Sequence, residues 1–119
     1  MKEKPNTERT QEELCAKFCC EFVAAPDDSK LGLAFATLCK LPINGLRHIP
    51  NKSTNGWYIW GGEILESDPD FFSPVHTIHL YQHCPRAIPF LGLPPGYRFL
   101  LGPKRYQDVW FDPRLLEAE

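Results

Sequence analysis

The chain has 119 residues, 43% of them hydrophobic and 24% charged, with 13 Lys and Arg against 15 Asp and Glu for a formal charge of -2. That length fits one globular domain able to bury a core without metals or disulfides. The near balance of charge, without a long run of either sign, lacks the basic footprint of a nucleic-acid binder, and no apolar stretch reaches the roughly 20 residues of a membrane span.

The N-terminal stretch MKEKPNTERTQEE is polar where a secretory signal needs an apolar segment, and RLLEAE at the C-terminus carries no targeting signal, so a cytoplasmic protein is expected. Residues 1–9 read as disordered, ahead of a single domain over 10–119. Cysteines at 15, 19, 20, 39 and 84 are odd in number, and three crowd one short segment. This suits a reducing compartment better than a disulfide framework.

Thr10 followed by Glu13 forms a capping box, and Leu14, Cys15, Phe18, Cys19, Phe22 and Val23 keep to one broad face, which predicts an amphipathic helix over 10–25. Pro26 ends it, and PDDS at 26–29 is a turn. Continuous apolar content over 30–41 fits helix or buried strand; the glycine, the threonine and Pro42 favour an extended segment over most of 33–40. Asn44-Gly45 reads as a turn ahead of a short strand at 46–49.

After the loop 50–56 comes the strand WYIW. Its alternation sends Trp57 and Ile59 to one side and Tyr58 and Trp60 to the other, so only one pair faces a main core. The second pair requires a covering element, a partner or a ligand. Asp68-Pro69-Asp70 marks a turn, and Ser73-Pro74 reads as the N-cap and first position of a helix over 74–83. CPRAIPFLGLPPG, with Pro85, Pro89, Pro94 and Pro95, predicts a run of short helical turns. Residues 97–101 and 107–111 read as a closing antiparallel hairpin. The expected class is α+β: a small antiparallel sheet packed against an N-terminal and a central helix, with Trp57, Ile88, Leu91 and Phe99 in its core.

Several clusters invite a chemical reading. His76, His79 and His83 would share one face of the 74–83 helix with zinc-like spacing, but the spacing places no fourth ligand among Cys84, Asp70 and His48. The bland reading is three partly exposed polar side chains. Cys15, Cys19 and Cys20 lack the C-x-x-C spacing of redox and zinc motifs, and buried cysteine is common. Glu63, Glu66, Asp68 and Asp70 have no acid-base partner fixed by spacing and read as a solvated acidic loop or the edge of a protein-binding surface. Arg47, His48 and Lys52 beside aromatic residues suit base stacking only weakly, because acidic residues follow at 63–70. No phosphate-binding glycine loop is legible. Neither a catalytic centre nor a cofactor is therefore expected.

Gly56-Trp57, Gly62-Glu63, the acidic turn at 66–70, Thr77-Ile78, the pattern Pro85-x-x-Ile88-Pro89-x-Leu91-x-x-Pro94-x-Gly96-x-x-Phe99 and a closing Asp-Val-Trp strand resemble a bacterial family once catalogued as a domain of unknown function. That family is classed by gene neighbourhood with the immunity proteins of polymorphic toxin systems. The resemblance covers about 45–111 and leaves the N-terminal helix without a counterpart. It implies a non-enzymatic protein that binds and neutralises a cognate toxin. Tyr58, Trp60, Glu63, Glu66, Asp68 and Asp70 are the expected contact surface, since rings give rigid contact area and carboxylates steer a basic partner. The rival readings are a small metal-dependent hydrolase built on the three histidines, and a small-ligand or scaffold module.

Overall fold

The computed structural model describes residues 7–63, 65 and 70–117. Its elements run in the order α1 (Thr7–Lys17), β1 (Lys30–Leu33), a 3-10 turn (Phe35–Thr37), β2 (Ile43–Arg47), β3 (Trp57–Gly61), β4 (Ser73–His76), a 3-10 turn (Thr77–His79), α2 (Leu80–His83), a 3-10 run (Pro85–Phe90), β5 (Tyr97–Leu101), β6 (Gln107–Phe111) and a 3-10 turn (Pro113–Leu116). The six strands form one sheet in the order β4-β1-β3-β2-β5-β6. This is the expected α+β class, with a mixed sheet: β1 pairs parallel to β3, and the other four pairings are antiparallel.

Alternation along β3 divides the interior as its sequence predicts. Trp57 and Ile59 enter the larger cluster with Leu31, Leu33, Ile43, Leu80, Ile88, Leu91, Phe99 and Leu101, beneath α1 and the 80–93 segment. Trp60 joins Ala34, Leu46 and Leu115 on the opposite face, with Tyr58, Phe71 and Phe72 packed around them. The proline-spaced segment is a run of short helical turns, and 97–101 with 107–111 form the hairpin.

Four local expectations are overturned, each by a tertiary contact. The first helix spans 7–17, so Thr10 lies inside it and not at its N-cap, and residues 7–9 belong to its first turn; residues 1–6 lie outside the described residues. Beyond Cys19, which takes a φ of 58°, the chain runs irregularly. There Val23 N–H donates to Gly92 O, and the Val23 and Ala24 carbonyls accept from Arg47. These bonds replace the ones a continuing helix would have made.

Asn44-Gly45 is no turn but the middle of β2. Gly45 is there because the Phe99 ring occupies the space of its missing side chain: a Cβ would stand 2.2 Å from the ring. Asn44 Nδ2 donates to Pro42 O and Gly62 O. The extended segment foreseen at 33–40 is displaced to 30–33, where β1 pairs with both β3 and β4, and the chain then turns at 35–37 with Thr37 Oγ1 donating to Ala34 O. Finally, Ser73-Pro74 opens no helix. Residues 73–76 form edge strand β4 on β1, where proline is tolerated, and helical turns begin only at Thr77.

Candidate functional site

The second face of the sheet carries a concavity that meets two of the expected contact residues, Tyr58 and Trp60. Tyr58 and Trp60 project from β3 and Leu46 from β2, while Phe72 and Leu115 close over them from the segments after β3 and β6. Together with His48, Ile49 and Leu65 these side chains line a cleft of about 620 Å³. Tyr58 reaches it because Gly32 leaves room: a Cβ there would stand 2.6 Å from the tyrosine ring. Phe72 meets Tyr58 edge-on at 5.1 Å between centroids and Trp60 at 6.2 Å. On the far side, His48 meets Tyr58 at 5.6 Å and places Nδ1 3.3 Å from Leu115 O.

Trp60 is 3% exposed, so it forms the floor of the cleft rather than a freely projecting contact ring. Its Nε1–H is buried and finds no acceptor among the described residues. An unmet buried donor costs about 1–3 kcal/mol, so this indole N–H weakens the packing of the second face instead of adding to it. Trp57 differs in this respect. It is fully buried, and its Nε1–H donates to Leu91 O at 2.9 Å.

The expected acidic surface is only partly described. Glu63 and Asp70 are exposed, and Leu65 between them lines the cleft; Glu66 and Asp68 lie outside the described residues. The three histidines do not share a helical face. His76 ends β4, His79 lies in a 3-10 turn and His83 ends α2 with its ring edge-on to Phe35 at 5.0 Å. Among the described residues, no three His, Cys, Asp or Glu side chains gather closely enough to hold a metal ion.

The cysteines divide by burial. Cys15 is buried with Sγ donating to Gly92 O at 3.3 Å, and burial pushes its thiol up to about 12. Burial also raises Cys20 and Cys84, while Cys19 and Cys39 are exposed. A thiol held protonated is a poor nucleophile, so the buried cysteines act as packing groups.

Arg47 has a role that sequence reading did not assign. Considered there beside His48 and Lys52 for base stacking, it is 1% exposed. Its guanidinium donates to the carbonyls of Asn55, Val23, Leu93 and Ala24 at 2.7–3.1 Å, with a longer contact to Leu91 O at 3.4 Å, and stands 5.7 Å from the Trp57 ring centroid. Burial lowers its pKa to about 10, still charged at neutral pH. One side chain thus ties the segment after α1, the loop before β3 and the turn before β5 to the sheet. Its signal in the sequence was a charged residue within the short strand expected at 46–49.

The family model of the Imm33-like domain matches residues 10–112, and the chain belongs to that family of immunity-protein name. The match begins at 10, so it takes in most of α1 and reaches well beyond the 45–111 stretch on which the sequence resemblance rested. No curated protein and no solved structure matches the chain. Among the described residues, no helix is long and apolar enough to cross a membrane.

Proposed function

From its membership of the Imm33-like domain family, we propose that this protein is a non-enzymatic immunity protein of the bacterial cytoplasm that binds and neutralises a cognate toxin. Family membership over 10–112 carries the reading. The second-face cleft supports it with a surface: an apolar side chain of the toxin enters against Tyr58, Leu65 and Phe72. Glu63, Glu66, Asp68 and Asp70 lie next to cleft-lining Leu65 in the sequence and steer a basic partner toward the same face. A cleft of about 620 Å³ is also the size of a small-molecule site, which keeps a ligand-binding module as the second reading.

The test is co-expression with the C-terminal domain of the large open reading frame next to the gene. The parent chain is expected to rescue growth and to bind that domain. Leu65→Asp is expected to abolish rescue, and reversal of Glu63, Glu66 and Asp68 to weaken it, with both variants melting like the parent. Rescue unchanged by both variants discards this surface. A toxic neighbour that the parent neither binds nor neutralises discards the function.

A further inference from the structure

The sheet has two edges, and the hydrogen-bond ladder shows them to be unlike. Across β5 and β6, Gly102 N–H donates to Tyr106 O and Asp112 N–H to Gly96 O. Bonded pairs alternate along an antiparallel ladder, so Asp108 and Trp110 turn their backbone groups to β5, whereas Gln107, Val109 and Phe111 turn theirs outward. The same reasoning applies to β4, where Thr77 N–H donates to Ser29 O and the outward residues are Pro74 and His76. Proline has no N–H to offer, so the β4 edge is blunted. The β6 edge has no such protection. It holds neither proline nor lysine, and Tyr106, Trp110 and Phe111 are 55%, 37% and 47% exposed beside it. Among the described residues, no strand pairs with it on that side.

We infer that β6 is a homodimer edge, on which a second copy of this chain pairs antiparallel about a two-fold axis at Val109, joining two sheets into one. The outward positions are self-complementary in this register. Gln107 meets the other copy's Phe111, Val109 meets Val109 and Phe111 meets Gln107, so each free N–H and C=O finds its counterpart and about six backbone hydrogen bonds form. Side chains agree with the register. Asp108, which makes no ion pair among the described residues, falls opposite the other copy's Trp110 at a non-bonded position, where side chains approach most closely. There its carboxylate can accept from the indole N–H. Arg98 lies 5.6 Å from the centroid of the Trp110 ring, which adds a cation next to the incoming Asp108. On the other face, Val109 and Phe111 of both copies form a continuous apolar stripe that extends the contact of Phe111 with Tyr97 at 5.3 Å. A strand of an unrelated partner would satisfy the backbone but not this reciprocal placement of Asp108 and Trp110. The inference does not depend on the toxin reading.

Sedimentation velocity of the full chain over a concentration series tests it, together with amide exchange. A dimer that dissociates on dilution is expected, with Gln107, Val109 and Phe111 amides gaining protection as it forms while Asp108 and Trp110 stay protected throughout. Val109→Pro removes only an outward donor, and Trp110→Glu sets a carboxylate against Asp108. Each is expected to weaken dimerisation at least about tenfold. The second variant leaves every backbone donor in place and serves if the first fails to fold. A parent chain monomeric up to about 1 mM, the weak end of specific association, overturns the inference. So does a dimer that both variants leave unchanged.

Discussion

Replacing each of two tryptophans on β3 by phenylalanine separates packing from hydrogen bonding, because the rings are nearly equally buried and only one N–H is satisfied. Trp57 is 0% exposed and donates to Leu91 O; Trp60 is 3% exposed and donates to nothing among the described residues. Shrinking either ring leaves a partial cavity worth about 1–2 kcal/mol, less than the 3–5 kcal/mol of full truncation to alanine. Trp57→Phe also removes a buried bond and leaves Leu91 O with only the longer Arg47 contact at 3.4 Å, adding about 1–2 kcal/mol. Trp60→Phe instead relieves an unmet donor worth about 1–3 kcal/mol, which offsets its cavity. The expected losses are about 2–4 kcal/mol for the first variant and close to zero for the second. For a domain whose whole stability is about 5–15 kcal/mol the contrast is large. Urea unfolding followed by far-ultraviolet circular dichroism measures it without relying on the fluorescence of the altered rings. Equal losses in the two variants would refute the reasoning, since the indole bond would then carry no weight.

Two further outcomes follow from the charged and thiol groups. Asp112 accepts from Arg114 and Arg98 side chains and from Arg114 N–H, which hold its carboxyl well below its ordinary 3.8. A carboxylate depressed by folding contributes stability above its unfolded pKa and loses it as pH falls through the folded one, so melting temperatures of the parent and Asp112→Asn should converge as pH drops from about 5 toward 2, while a constant gap would contradict this. In the folded protein a thiol reagent near pH 8 should modify Cys19 and Cys39 rapidly and leave Cys15 unmodified until denaturant is added, as read by mass spectrometry of the digested chain. Equal rates at Cys15 and Cys19 would contradict the burial that raises the Cys15 thiol.

Elements with a strong local signal were legible in the sequence. WYIW alternates bulky β-formers and lies in a sheet with both faces covered, so local preference and tertiary demand agree. The proline-spaced segment allows few conformations, and the closing hairpin repeats the strand signal on both sides of one loop. The failures share one cause, a distant residue that changed what a local signal was for. Asn-Gly tolerates turns, yet Gly45 serves the approach of Phe99, 54 positions on. Ser73-Pro74 suits a helix start equally well as an edge strand, and only the presence of β1 decides between them.

The candidate site was legible to a different depth. Alternation along β3 separates Tyr58 and Trp60 from the main core but cannot say what covers them, because Phe72, Leu115 and His48 come from three other segments. Nor can a sequence reveal whether an indole N–H has an acceptor. Trp57 and Trp60 are the same residue type three positions apart on one strand, and their chemical difference arises wholly from which carbonyl lies within reach. For Trp57 the short turn after the Pro85–Phe90 segment brings Leu91 O to 2.9 Å, while the chain over Trp60 supplies rings instead. An apolar cover can shield a donor from water but cannot satisfy it, so among the described residues the Trp60 Nε1–H stays uncompensated beneath the second face. The same indole therefore stabilises one face through its hydrogen bond and, on the other, contributes through packing alone.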